Sequence, residues 1–438
     1  MTKNKQPTTT KFYFTYPAIL LMLAGCVSIS TPEENPTPVP SSTETVELGS
    51  KSEGENTPSP ITTPKPLIAT SPSLPVGTIN QELLEESWAI YRQQFIQQDG
   101  RVIDFQASDR STSEGQAYAM LRAVLINDTY TFAQTLNWAE KNLLRVDETG
   151  KPSDQLWAWK WGKNEAGKWG AIDRNFASDA DIDAITALIL ASRRWKRPEY
   201  LELARSKLMD LWNFSTTVQG GKRYLLPGPK EAFVPSSNTI YLNPSYFAPY
   251  AFRLFAQVDP NRDWLSLVNS SYQVLEKSSQ VSSVGLPSDW IALDTKTGKY
   301  EPLPASSPLK SVYSFDAYRV WWRIAWDVAL FASPEGDRYL RTASSHLLST
   351  WRSKQNLPAV IDLQGKPTVD YETTSQYAML YPTLRIIDPD MAQQQLQTKL
   401  LPRYKQGIWD DQAAYYTQNL AWLGLLPTTA IDPQLLKP

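Results

Sequence analysis

Residues Ala177 to Trp195 read ASDADIDAITALILASRRW, and they show most plainly what kind of structure this chain forms. From Ile182 onward, apolar residues recur every three or four positions, which is the spacing of an amphipathic helix with one buried face. Ser178 is placed to cap that helix, and Asp179 and Asp181 suit the positive end of its dipole. The stretch therefore predicts a helix with a polar entry and an apolar body.

The same helical periodicity continues on both sides of this stretch, and no convincing run of alternating strand residues interrupts it. The pattern predicts an all-α domain. Twelve helices are predicted, at residues 80–97, 114–126, 129–144, 178–195, 198–213, 244–257, 260–279, 315–332, 336–353, 372–384, 389–401 and 412–426.

The connections between these helices alternate between short and long. Short links such as Asn127-Asp128 and Lys196-Arg197 join two helices into an antiparallel hairpin. Six hairpins of similar size predict a closed ring of inner and outer helices, which helix 80–97 must complete. The inner helices follow the long connections, so their N-termini are expected at one end, where long loops build a site.

The N-terminal region predicts export rather than a domain. Residues 1–25 have a basic start and an apolar run of about a dozen residues, which is shorter than the ~20 of a spanning helix. Leu23-Ala24-Gly25-Cys26 has the form of a bacterial lipobox, so we expect lipidation of Cys26, the only cysteine. The alternative is a plain secretory signal. Residues 26–77 are rich in Ser, Thr and Pro and predict a disordered linker, which leaves 78–433 as the folded domain.

Composition argues against several classes of function. The formal net charge is -2, with 43 basic and 45 acidic side chains, so the chain lacks the basic excess that would indicate a nucleic-acid partner. The single histidine, His346, lies in an ordinary helical stretch and argues against a Ser-His-Asp triad or a histidine-bound metal.

Three carboxylates stand near the predicted starts of three helices: Glu114, Asp179 and Asp316. Each has a structural alternative, as a first-turn acid or, for Asp316, as a partner of Arg319. A metal site is not predicted, because Asp181 points away from Asp179 on a helix and the glycine and glutamate of a calcium loop are absent. In a chain with 16 Trp, three such acids indicate carboxylate chemistry on a sugar.

Aromatic residues provide candidate sugar-binding surfaces. Trp157, Trp159 and Trp161 alternate in a long loop, where they are harder to explain as core than in a helix, although core remains the alternative. Tyr246 follows Asn243-Pro244-Ser245 at the start of another inner helix, and Tyr118 lies one turn beyond Glu114.

These motifs resemble glycoside hydrolase family 8, a bacterial endoglucanase family with an (α/α)6 barrel. The resemblance spans roughly residues 80–426 in the family's order and is closest to the cellulase associated with bacterial cellulose synthesis. Its signature is matched by Ala177-Ser178-Asp179-Ala180-Asp181 and the closing Trp195, its acid segment by Ser113-Glu114-Gly115, and its base segment by Asp316-Ala317-Tyr318-Arg319. Two departures are Ala184-Ile185, where the family has the reverse order of residue types, and Phe315, where it usually has Tyr.

The resemblance implies that Glu114 is the general acid, with its pKa raised by burial, and that Asp316 is the base, kept ionised by a nearby arginine. Asp179 would hold the sugar at the cleavage point. Such a pair inverts the anomeric centre, with carboxyl groups ~6.5–9.5 Å apart. No cofactor is expected. The implied substrate-binding residues are Trp157, Trp159, Trp161, Tyr246, Arg319 and Tyr118.

The implied function is endo-hydrolysis of β-1,4-glucan by a membrane-anchored lipoprotein that works beside the cellulose synthesis machinery. Xylan, mixed-linkage glucan and chitosan are alternative substrates within the family. A non-catalytic glycan-binding lipoprotein would also keep the barrel and the tryptophans. A terpenoid cyclase shares the architecture, but an apolar substrate suits a Trp-rich polar loop badly.

Overall fold

The structure is a computed structural model that describes residues 81–437. The predicted signal peptide 1–25, the lipidation site Cys26 and the linker 26–77 therefore lie outside the described residues. Fourteen helices occur within the described range. They are α1 (Gln81–Phe95), α2 (Ser113–Leu125), α3 (Thr129–Asn142), α4 (Ser178–Trp195), α5 (Pro198–Phe214), α6 (Lys230–Phe233), α7 (Pro249–Val258), α8 (Trp264–Ser279), α9 (Tyr318–Phe331), α10 (Pro334–Ala343), α11 (Ser345–Lys354), α12 (Thr374–Ile387), α13 (Pro389–Gln395) and α14 (Tyr415–Leu425).

Six helices form a closed inner ring. In ring order they are α2, α4, α7, α9, α12 and α14; each contacts the next, and α14 contacts α2. All 13 residues of α2 are buried, whereas only six of the 17 residues of the outer helix α5 are buried. The predicted all-α barrel of six hairpins is thereby confirmed. The first helix, α1, packs on α14, so the sixth hairpin joins the two ends of the domain.

Several predicted boundaries move because local capping decides them. The helix expected at 244–257 begins only at Pro249, after a 3-10 turn, and the one expected at 336–353 is divided at Ser344. Ser178 does not cap α4: its hydroxyl donates to the Leu226 carbonyl from inside the helix. Asp316 precedes α9 instead of lying within it.

The long connections in the described part of the chain carry twelve short strands, which the sequence pattern does not predict. Each has only two to six residues, too few to show an alternating pattern in the sequence. The strands are β1 (Ser111–Thr112), β2 (Leu144–Val146), β3 (Pro152–Trp157), β4 (Lys160–Lys163), β5 (Trp169–Asp173), β6 (Thr216–Gln219), β7 (Lys222–Leu225), β8 (Thr239–Leu242), β9 (Ile291–Asp294), β10 (Lys299–Glu301), β11 (Tyr404–Lys405) and β12 (Ile408–Trp409).

Two small sheets matter for the candidate site. One has the order β1-β4-β5 and joins the tryptophan-rich loop to the strand that leads into α2. The other has the order β10-β9-β8 and joins the loop after α8 to the strand before α7. Both sheets connect long loops to the N-terminal ends of inner helices. Within residues 81–437, no helix has the length and hydrophobicity needed to cross a membrane.

Candidate active site

The N-terminal ends of the inner helices converge, and this convergence brings the three predicted acids together. Glu114 lies in the first turn of α2, Asp179 in the first turn of α4, and Asp316 in the turn before α9. Thr112 caps α2 by accepting a hydrogen bond from the Gly115 amide, which fixes the backbone on both sides of Glu114. Residues distant in sequence therefore meet at one end of the barrel.

One buried guanidinium connects all three acids. Arg319 Nη1 donates to Glu114 Oε2 and to Asp179 Oδ2, each at 2.7 Å, and Nη2 donates to Asp316 Oδ1 at 2.7 Å. Nη2 also donates to Ser245 Oγ at 3.1 Å. Arg319 forms the ion pair with Asp316 that the sequence suggests, although Asp316 lies just before α9, and it binds two further carboxylates across the barrel.

A second layer of charge lies one turn deeper. Arg323 forms two hydrogen bonds with Asp183, both of 2.8 Å. Asp179 pairs with Arg319, and Asp183, four residues further along α4, pairs with Arg323, four residues further along α9. The two helices therefore run in the same direction. Asp181 points the other way, as predicted, and accepts a hydrogen bond from the backbone amide of Trp157.

Burial gives Glu114 the protonation state of an acid catalyst. The pKa of Glu114 is raised to about 8 by burial, against the opposing effect of Arg319, and the charges of Asp179 and Asp316 raise it further. The Tyr415 hydroxyl donates to Glu114 Oε1 at 3.2 Å and lowers that pKa. Tyr415 reaches Glu114 because its ring packs over Gly115, where a Cβ would lie 3.3 Å from it.

Asp316 is more exposed to solvent than the other two acids and accepts hydrogen bonds from several donors. Its side chain is 19% exposed, compared with 9% for Glu114 and 3% for Asp179, so it is the acid that water reaches most easily. Burial raises the pKa of Asp316 and opposes the effect of Arg319, which was expected to keep this carboxyl group ionised. Hydrogen bonds from Asn243 and Trp290 lower the pKa and oppose the effect of burial.

The aromatic residues predicted to bind substrate lie in different surroundings. Tyr246 lies at the site, with its ring 5.4 Å from the Arg319 Cζ. Trp159 is buried, its carbonyl accepts from the Ser113 amide beside Glu114, and its indole N–H has no hydrogen-bond partner within the described part of the chain. Tyr118 has no exposed surface and lies behind Arg319, with its hydroxyl 3.5 Å from Nη1.

Two of the predicted tryptophans do not present a free face to a sugar. Trp157 is completely buried, donates its indole N–H to Glu140 and packs beneath the Lys207 ammonium, so the structure does not support a substrate-stacking role. Trp161 stacks on Trp169 with 4.9 Å between ring centroids and packs edge-on against Trp138. The alternative that loop tryptophans form core thus holds for Trp157.

Sequence reasoning missed several groups that contact the acids or Arg319. Nothing in the spacing of Asn243, Ser245 and Tyr415 shows that they bond to Asp316, Arg319 and Glu114, respectively. Asp289 and Trp290 lie in the long connection between α8 and α9 and carry no sequence signal. Among the described residues, no group of three or more His, Cys, Asp or Glu side chains is arranged to hold a metal ion.

A helical barrel with three carboxylates at its open end, one of them protonated near neutral pH, defines a protein of the glycoside hydrolase class. The chain belongs to glycosyl hydrolases family 8, whose family model matches residues 69–430. The sequence-based assignment to this family is confirmed.

Relatives and solved structures agree with this assignment. The chain is 36% identical over 236 residues to an endoglucanase from Xanthomonas axonopodis pv. citri (strain 306), which covers 53% of this chain and 58% of that protein. It is 29% identical to a probable endoglucanase from Novacetimonas hansenii, over 66% of this chain and 86% of the other. The crystal structure of endo-1,4-D-glucanase from Vibrio fischeri ES114 superposes with a TM-score of 0.64 at 27% identity, covering 77% of this chain and 93% of that one.

Proposed function

We propose that this protein hydrolyses internal β-1,4 bonds of a glucan with inversion of the anomeric centre. The observation that carries the proposal is the attachment of Glu114, Asp179 and Asp316 to one buried guanidinium, that of Arg319. The names of the relatives, which are endoglucanases, support a β-glucan as substrate. Because the matched region is 58% of the length of the Xanthomonas relative, activity and substrate are proposed here from the site.

Glu114 acts as the general acid in this proposal. With a pKa raised to about 8 by burial, its carboxyl group carries a proton at neutral pH. It passes that proton to the glycosidic oxygen as the C–O bond breaks, so the leaving sugar departs as a neutral alcohol. Arg319 remains a cation beside the new carboxylate and stabilises its charge.

Asp316 acts as the general base. Its carboxylate takes a proton from the water that attacks the anomeric carbon on the face opposite Glu114. The two carboxyl groups bind different nitrogens of one planar guanidinium, so their contacting oxygens are at most about 8 Å apart, an upper limit that is compatible with the ~6.5–9.5 Å of an inverting pair. Asp179, held by the same guanidinium, is proposed to bind the sugar at the cleavage point.

The same proposal assigns the substrate-binding and cellular context. Trp159 and Tyr246 are the predicted aromatics that adjoin the acids, so they are proposed to contact the glucan. We also propose that the protein is exported, lipidated at Cys26 and held at a membrane by the linker 26–77, where it trims glucan beside the cellulose synthesis machinery. Fatty-acid labelling of the wild type but not of Cys26→Ala in a bacterial host tests the anchor; equal labelling contradicts it.

The function is tested by a proton NMR time course of cellohexaose cleavage. Early appearance of the α-anomer is expected from an inverting enzyme, whereas an early β-anomer shows retention and contradicts the role of Asp316. Cleavage of xylohexaose or chitosan oligomers but not of cellohexaose would show that xylan or chitosan is the substrate instead of β-1,4-glucan. Absence of all cleavage would favour a glycan-binding protein.

Variants of the two acids test the roles directly. Glu114→Gln and Asp316→Asn each remove one ionisable group with little change in shape, so nearly all turnover should be lost while the fold stays intact. Asp294→Asn is the matched control, because the Asp294 carboxylate accepts from the amides of Lys296 and Thr297 and so belongs to the turn between β9 and β10. Activity comparable to wild type in either site variant would disprove that residue's role.

A further inference from the structure

The turn that carries Asp316 is held by a carboxylate from another part of the chain. Asp289 Oδ1 accepts hydrogen bonds from the amides of Ser314, at 3.1 Å, and Ala317, at 2.8 Å. Asp289 Oδ2 accepts a short hydrogen bond from the Ser314 hydroxyl. We infer that Asp289 is a positioning residue for the base Asp316, an inference that rests on the function proposed above.

The contacts of Asp289 flank Asp316 on both sides. Ser314 lies two residues before Asp316 and Ala317 one residue after it, so the backbone that carries the base is tied at two points. Ala317 is the N-cap residue of α9 and provides no side-chain cap. Asp289 therefore supplies from outside the helix an acceptor that the turn's own sequence lacks. Without it, the direction in which Asp316 points would depend on Arg319 and on the donors to its carboxyl group.

The neighbour of Asp289 contacts the base itself. Leu242 pairs with Ile291 in the β8–β9 register, which places Asn243 beside Trp290 at the end of the sheet. Asn243 Nδ2 donates to Asp316 Oδ2 at 3.0 Å, and the Trp290 indole also hydrogen-bonds Asp316.

Both of these donors are held in place. Asn243 Oδ1 accepts from the Ser245 amide and hydroxyl, which leaves only its NH2 group to face Asp316. Trp290 is stacked on Phe233, with 5.7 Å between centroids and 5° between planes. The β8–β9 sheet thus delivers the donors to the carboxyl group, and Asp289 holds the backbone that bears it.

The protonation state of Asp289 distinguishes a positioning role from an effect of its charge. Burial, followed by the charge of Asp316, raises the pKa of Asp289 to about 8. The other titratable groups that face Asp289 are the Tyr313 and Tyr318 hydroxyls, while Asp316 also faces Arg319, Asp179 and Glu114. With a pKa of about 8, Asp289 is protonated while Asp316 loses its proton, so replacing Asp289 by a neutral acceptor should leave the pKa of the base unchanged.

The experiment compares Asp289→Ala and Asp289→Asn in the full chain. Asp289→Ala removes every tie to the turn, and we expect kcat to fall about tenfold to hundredfold with KM little changed, because the base is misplaced and the sugar-binding groups are not. Asp289→Asn keeps the Oδ1 acceptor and offers an N–H to Ser314 Oγ. It should retain most of kcat and leave the acidic limb of the kcat–pH profile unchanged, because a neutral acceptor in the same place holds the turn as Asp289 does. Asp294→Ala, which removes two hydrogen bonds from backbone amides in the adjacent β9–β10 turn, is the matched control.

A folded Asp289→Ala variant whose kcat equals that of Asp294→Ala overturns the inference. If Asp289→Ala does not fold, Ser314→Ala decides, because it removes only the hydroxyl that donates to Asp289 Oδ2. A lower kcat with KM little changed supports the inference, and a kcat equal to that of Asp294→Ala overturns it. Asp316→Asn separates this inference from the proposed function. Turnover by Asp316→Asn refutes the role of Asp316 itself, whereas an inactive Asp316→Asn beside a fully active Asp289→Ala refutes only the role of Asp289.

Discussion

Replacing Arg319 with lysine tests whether the site depends on the shape of the guanidinium as well as on its charge. Arg319 serves Glu114 and Asp179 through Nη1 and Asp316 and Ser245 through Nη2. A lysine keeps the positive charge but concentrates its donors on one nitrogen, so it can serve only one of these two sides.

The expected magnitude follows from those four bonds. Losing two of them, at about 1.5–3 kcal/mol for each hydrogen bond to a charged group, removes about 3–6 kcal/mol of interaction. Part of this loss is common to the free enzyme and the transition state. If about half is expressed only when Glu114 and Asp316 must act together, the barrier rises by about 1.5–3 kcal/mol, which corresponds to a fall in kcat of roughly 10- to 160-fold.

The matched control is Arg323→Lys, one turn further along α9. Arg323 is equally buried, and its replacement by lysine removes a bidentate pair with Asp183. In the described structure, however, Arg323 contacts none of the three acids. Both variants should lose about 1–3 kcal/mol in urea unfolding, whereas only Arg319→Lys should lose most of kcat on cellohexaose. An Arg319→Lys enzyme with wild-type kcat, or equal kcat losses in the two variants, would refute the reasoning.

Two further predictions concern protons. Tyr415→Phe removes a hydrogen bond that lowers the pKa of Glu114, so the alkaline limb of the kcat–pH profile, where the acid loses its proton, should move to higher pH; a shift to lower pH contradicts this. Asp181 is buried with its pKa raised to about 8, so between about pH 4 and 8 the unfolded chain binds fewer protons than the folded one and stability falls as pH rises. Asp181→Asn should therefore be stabilising in urea unfolding at pH 9 by at least about 1 kcal/mol relative to its effect at pH 5; an equal effect at both pH values contradicts the assignment.

The fold could be predicted because its helices and hairpins are determined by local sequence patterns. Each inner helix carries nearly continuous apolar or small residues, each hairpin has a short link, and these features need only a few residues on each side to be recognised. The long connections were the exception. Strands of two to six residues such as β1 and β8 are stabilised by pairing with distant segments, so their own sequence does not reveal them.

The three acids could be named from sequence, but their electrostatics could not. Glu114, Asp179 and Asp316 stand in recognisable motifs, whereas the balance between burial and Arg319 depends on how closely the helix ends converge. The aromatic predictions show the same limit. Trp157 and Trp159 look alike in the sequence, yet one lies in the core and the other adjoins Ser113 at the entry to α2.

By itself, the sequence determined the helical barrel, the family and the identity of the acids, because these depend on periodicity and on short motifs. Only the tertiary structure decided that one guanidinium joins all three acids, that Trp290 hydrogen-bonds Asp316 and that Asp289 bonds to the turn around it. Those contacts connect residues up to 205 positions apart, such as Arg319 and Glu114. They exist only because the closed ring of helices brings the N-terminal ends of α2, α4 and α9 to the same place.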